Sequence, residues 1–95
     1  MKNEIKILGT IYKVKEVDQI DKFNMTLGEI NYISQEIYLD KSLNEDLKRE
    51  VLIHEIFHGI LEKLGYVEIN EDEQKVQSIA STLYGVLKDN NLISF

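Results

Sequence analysis

The spacing of apolar and polar positions changes twice along this chain. In residues 4–17, Ile5, Ile7, Ile11, Tyr12, Val14 and Val17 stand among charged neighbours. Around 10–15 apolar positions alternate with lysines, which predicts a half-exposed strand, with a bend or bulge at Gly9. Residues 18–26 are polar with two or three apolar anchors and read as a loop with room for one helical turn. Residues 27–40 predict a hairpin, with 27–33 as one arm, Ser34-Gln35 as the turn and 36–40 as the other arm. That turn lacks the Asn-Gly or Asp-Gly signal that would fix its position. In the second arm Ile37 and Leu39 share one face, and Glu36 and Tyr38 the other.

Beyond residue 40 the period becomes helical. Ser42-Leu43-Asn44-Glu45 fits a capping box with Ser42 as N-cap, and Asp46 adds a charge suited to a helix N-terminus. The predicted helix runs to about Leu64, where Gly65 supplies a C-terminal stop. At about 1.5 Å per residue it spans on the order of 30 Å, enough to cross a small domain. Ile53, Ile56, Phe57, Ile60 and Leu64 form its apolar arc, and Gly59 falls where another element can approach closely. After a short connection over 66–69, Asn70 opens a second helix that runs to about Asp89. Its stripe is Val76, Ile79, Ala80, Leu83, Val86 and Leu87. Asn90-Asn91 ends it, before a short apolar tail. The fold class expected is α+β, a small antiparallel sheet of about three strands packed on two long helices, in one domain covering 1–95.

Composition narrows the function. With 95 residues and no cysteine, neither disulfides nor a thiolate metal site can staple the fold. The formal charge of −6 argues against nucleic acid as a partner. No apolar run is long enough to span a bilayer, so no membrane role is expected. The first residues, Met1-Lys2-Asn3-Glu4-Ile5-Lys6, lack the apolar core of a secretion signal, and a cytoplasmic location is the expectation.

The chemistry concentrates in His54-Glu55-Ile56-Phe57-His58, which holds both histidines of the chain. Residues four apart leave a helix on the same side, so two imidazoles can grip one Zn²⁺ while Glu55 takes a proton from a water beside it. Both rings sit at the border of the apolar arc. A catalytic zinc has three protein ligands and an open position. A third histidine in the longer H-E-x-x-H-x-x-G-x-x-H pattern is excluded, because Leu61 and Leu64 occupy the corresponding positions. The third ligand is therefore expected among the acids opening the second helix. Glu71 projects toward water. Asp72 points into the stripe but is short. Glu73, at the stripe edge one turn before Val76 and Gln77, is best aimed, so the order is Glu73, Asp72, Glu71. Asn70-Glu71-Asp72-Glu73 also fits a capping box, in which Glu73 would only satisfy the Asn70 amide. Gln77 is placed to hydrogen-bond a ligand. Tyr32, Tyr38, Tyr66 and Tyr84 are the tyrosines available to stabilise an oxyanion, with no means of choosing among them.

Three stretches together resemble the compact metallopeptidases of the ImmA/IrrE type, and more closely their short relatives from bacteriophages and mobile elements. They are Ile37-Tyr38-Leu39-Asp40, the helix segment Val51-Leu52-Ile53-His54-Glu55-Ile56-Phe57-His58, and Asn70-Glu71-Asp72-Glu73 leading into Val76, Ile79-Ala80 and Leu83. The resemblance covers roughly 35–90, and its specific motif is H-E-x-x-H. It implies a minimal gluzincin-like core in which a small sheet lies against the active helix. It further implies that 36–40 is an edge strand able to pair with an extended peptide, and that the substrate is a cytoplasmic regulatory protein such as a repressor. The family often has Glu-Ala-Asn before a Phe-Ala pair. Aligning Ile79-Ala80 with that pair sets Lys75 at the glutamate and Glu73 two residues earlier.

The leading expectation is a zinc-dependent endopeptidase acting on a protein or peptide. A second is a non-catalytic zinc module, with metal tying the two helices for a phage or host interaction. A third is a metal-free interaction protein carrying a relic of the motif.

Overall fold

Leu8 and Gly9 both take positive φ, 45° and 90°, and this reverses the chain within what reads as one β-rich run. The result is a tight hairpin of β1 (Glu4–Ile7) and β2 (Thr10–Val17), with Ile7 opposite Thr10. Two successive residues of positive φ are what a two-residue hairpin turn of type I′ requires. Gly9 adopts that backbone freely, whereas Leu8 does so against its side chain. The expected bend at Gly9 is thus a full turn, hidden because Leu-Gly carries no turn signature.

This computed structural model describes residues 2–18, 20 and 26–94. The loop expected over 18–26 lies largely outside the described residues. Next come β3 (Gly28–Asn31) and β4 (Glu36–Asp40), joined by a four-residue turn. Asn31 Oδ1 accepts the backbone N–H groups of Ile33 and Ser34 at 3.0 and 2.9 Å, an Asx turn that ends the arm before residue 33.

The sheet is four-stranded and mixed, in the order β1-β2-β4-β3. The two hairpins lie side by side with their second strands in contact. β2 therefore runs parallel to β4, with Val14 beside Ile37 and Val17 beside Asp40. This corrects the expected three-stranded antiparallel sheet. It also corrects the expectation that 36–40 forms an edge. β4 is interior, paired with β2 on one side and β3 on the other, its Ile37 and Leu39 are the sheet's most buried residues, and β3 is the edge on that side.

Helix α1 (Glu45–Leu64) is capped by Asn44, whose side chain accepts from Leu47 N at 2.9 Å. Ser42, the expected cap, instead donates through its hydroxyl and its N–H to Asp40 Oδ1. Gly65, at φ 77°, closes the helix, with Tyr66 N–H reaching back to the Leu61 carbonyl. Two helices follow where one was expected: a short α2 (Val67–Glu71) and α3 (Glu73–Asp89). Asp72 separates them, and its carboxylate caps α3 by accepting from Lys75 N at 3.1 Å. Asn70 thus belongs to α2, and Glu73 is the first residue of α3.

The core joins Ile7, Tyr12, Val14, Ile37 and Leu39 of the sheet to Val51 and Leu52 of α1. On its other flank α1 receives α3, which buries Val76, Ala80 and Tyr84. Cover on two flanks explains why the buried set of α1 is Lys48, Val51, Leu52, Glu55, His58, Gly59 and Leu61. The expected arc of Ile53, Ile56, Phe57 and Ile60 is only half-buried, and Leu64 is exposed. Gly59 sits where expected: a Cβ there would meet Ile7 Cδ1 at 2.7 Å and Ile30 Cδ1 at 3.1 Å. In α3, Ile79, Leu83 and Val86 are exposed although the stripe predicts them buried. No described helix is long and apolar enough to cross a membrane.

Candidate metal centre

His54 and His58 stand one turn apart on α1 with ring centroids 4.9 Å apart and planes at 67°. Their Nε2 atoms face the same point. From the first residue of α3, Glu73 reaches across to both: its carboxylate lies 3.3 Å from His54 Nε2 and 2.8 Å from His58 Nε2. The three atoms that could ligate a metal, one from each residue, lie within 4.8 Å of one another. Ligand atoms in a tetrahedral zinc site stand about 3.4 Å apart, so a small closure would seat one ion. Among the described residues no fourth histidine, cysteine or acid joins the group, which leaves a position open toward the cleft.

Helix capping decides which acid faces the rings. Asp72 is taken by the Lys75 amide and stands 3.8 Å from the Lys75 ammonium. Glu71 is an exposed residue at the end of α2. Since Asn70 lies in α2, the capping box that would have occupied Glu73 does not form. Lys75, at the aligned glutamate position, turns to Asp72 and leaves the rings to Glu73.

Glu55 is buried, only 6% exposed, and no described residue gives it a hydrogen bond or ion pair. Its carboxyl lies under β3, where a Cβ on Gly28 would meet Glu55 Oε2 at 3.1 Å and Val51 Cγ1 at 2.4 Å. Burial, with Glu73 and Glu29 adding negative charge nearby, pushes its pKa up to about 8. A buried acid with a strongly raised pKa beside a ligand cluster is characteristic of a proton-transfer group. The pKa of His54 is lowered, first by burial and then by the neighbouring His58, against the opposing pull of Glu73 and Gln77. Lowering favours the neutral ring that a metal requires.

The cleft in front of these groups measures about 610 Å³. One wall is β3, through Gly28, Glu29 and Ile30; the floor is α1; the far side carries Asn70, Glu73 and Gln77. Among the described residues, no lysine or arginine lines it.

No family model, curated protein or solved structure matches the chain.

His58 is held at its far side as well. Its Nδ1 lies 2.6 Å from Asn70 Oδ1, Asn70 Nδ2 donates to the Tyr32 hydroxyl at 3.2 Å, and that hydroxyl reaches the His58 carbonyl at 3.5 Å. His54 Nδ1, by contrast, is buried without a partner among the described residues. Of the four tyrosines weighed, Tyr32 lines the cleft. Tyr38 bonds Glu36 at 2.6 Å, Tyr84 donates to Asp46 at 2.7 Å, and Tyr66 is exposed.

Sequence reasoning missed Gly28 and Asn70. A glycine opening a strand signals close backbone approach, and at Gly28 that signal was present. Asn70 read as a helix cap, and nothing local marked it as a partner for a residue twelve positions earlier.

Proposed function

We propose that this chain is a zinc-dependent hydrolase of peptide bonds. The observation that carries this reading is the convergence of His54, His58 and Glu73 on one gap, with the buried carboxyl of Glu55, unpartnered among the described residues, next to it. The donor set of two neutral imidazoles and a carboxylate is one that catalytic zinc uses. Zinc bound there would supply Lewis acidity, polarising a carbonyl and making water easier to deprotonate.

The protein's own groups divide the remaining work. His54, His58 and Glu73 hold the ion. Glu55 takes the proton from water and returns it to the leaving amine, a role suited to a carboxyl whose pKa lies near neutrality. The β3 wall covers Glu55 on one side, close to the Gly28 backbone. An extended peptide pairing with the edge of β3 would carry its backbone past Glu55. The resemblance to ImmA/IrrE-type peptidases supports this reading and suggests a cytoplasmic regulatory protein as the target.

A zinc that merely ties α1 to α3 is the competing reading. It gives no use to a buried Glu55 without a partner, and it calls for a fourth protein ligand that the described residues do not supply. The two are separated by assaying the zinc-loaded protein against a generic peptide library, with Glu55→Gln as control. Cleavage by wild type and its loss in the variant are expected. Equal cleavage by both, or cleavage by neither at full zinc occupancy, would refute the catalytic role.

A further inference from the structure

The contacts behind His58 form a circuit that begins and ends on that residue. Its backbone carbonyl can only accept, so the Tyr32 hydroxyl must donate to it. The Tyr32 oxygen is then free to accept, and Asn70 Nδ2 donates to it at 3.2 Å. This sets the Asn70 amide with Oδ1 toward the ring, 2.6 Å from Nδ1. An amide oxygen only accepts, so Nδ1 must carry the proton. Nε2 then faces His54 and, at 2.8 Å, the Glu73 carboxylate; because Nε2 and the carboxylate are both acceptors, a cation must lie between them, a proton in the metal-free protein or the metal itself. Starting from the other end leads to the same polarity, because a metal on Nε2 requires Nδ1–H. The hydrogen-bond polarity is therefore the one that the zinc reading requires.

We propose that Asn70, held in orientation by Tyr32, is the positioning residue that fixes the tautomer and ring angle of His58, so that Nε2 is offered to the metal. The inference rests on the zinc reading above. The circuit joins three elements: the turn after β3 supplies Tyr32, α1 supplies His58, and α2 supplies Asn70. It gives the five-residue α2 a purpose that its lack of any buried residue does not otherwise explain. His54, whose Nδ1 has no partner among the described residues, lacks such a support on that atom.

The test measures the zinc dissociation constant by chelator competition for wild type, Asn70→Ala, Asn70→Asp and Tyr32→Phe, each checked for folding by circular dichroism. Loss of a partner behind a metal-bound histidine lowers metal affinity roughly 10–100-fold, and that is the loss expected for Asn70→Ala. Asn70→Asp retains an acceptor and should stay within about threefold of wild type. Tyr32→Phe keeps the ring but frees the amide to flip, and should fall between them. In zinc-loaded wild type the His58 Nδ1 proton should give a slowly exchanging NMR signal that Asn70→Ala loses. A merely structural role would lower the melting temperature of EDTA-treated Asn70→Ala and leave the zinc affinity of its folded molecules unchanged. That result, or equal losses in Asn70→Ala and Asn70→Asp, would overturn the proposal while leaving the zinc reading intact. If Asn70→Ala fails to fold, Tyr32→Phe decides: unchanged affinity and an unchanged proton signal overturn it. A wild type that binds no zinc overturns the zinc reading itself, and this proposal with it.

Discussion

The carboxylate of Glu73 stands 2.8 Å from Nε2 of His58, and this contact fastens the first residue of α3 to the middle of α1. It draws a mostly exposed glutamate against a buried ring. The contact sits at the point where Asp72 ends α2 and starts α3, so the local break in the helix aims the Glu73 carboxylate at the rings.

Glu73→Gln is expected to weaken zinc binding by on the order of a hundredfold, since a zinc site's binding energy is shared among few ligands. Asp72→Asn should leave affinity close to wild type, because asparagine can still cap α3. Glu71→Gln should also be neutral. Competition with a chromophoric chelator ranks the three, and the expected order separates Glu73 from its neighbours.

Glu55 gives the pH dependence of the metal-stripped protein a definite sign. Its folded pKa is raised to about 8 from an ordinary 4.5. The native state therefore holds an extra proton between those values, and stability falls as pH rises through that window. Glu55→Gln removes the slope. In EDTA at about pH 9 the variant should melt at least about 5 °C above wild type, and at about pH 4 the two should nearly coincide. Thermal melts followed by circular dichroism at both pH values check this.

Gly28 and Gly85 should respond oppositely to alanine. A Cβ at Gly28 would meet Val51 Cγ1 at 2.4 Å, in the wall that covers Glu55. Gly28→Ala is expected to destabilise by about 1–3 kcal/mol. At Gly85, inside α3, a Cβ meets nothing within 4 Å, and Gly85→Ala should stabilise by about 0.5–1 kcal/mol through helix propensity. Urea denaturation of both variants reads the two signs.

Local relationships were legible in the sequence, and pairings across distance were not. His54, Glu55 and His58 lie within one helical turn, so periodicity alone places them together. Glu73 was legible because helical phase from Val76 points it toward α1. The sheet order was not, because the parallel contact of Val14 with Ile37 joins two hairpins across a long connection with no local signal. The start of α3 was misplaced because Asn70 and Asp72 are both good caps, and only packing selects between them. The same packing brings Asn70 to His58. The exposed Ile79, Leu83 and Val86 show the opposite limit: periodicity marks an apolar stripe and does not say how much of it a neighbour covers.

Titration of EDTA-stripped protein with zinc, read by native mass spectrometry, tests the metal centre most directly. Wild type should take up one zinc per chain, and a His54→Ala/His58→Ala double variant that keeps its helical circular dichroism should take up none. A wild type that remains at its metal-free mass in excess zinc, or a double variant that binds as tightly as wild type, would contradict it.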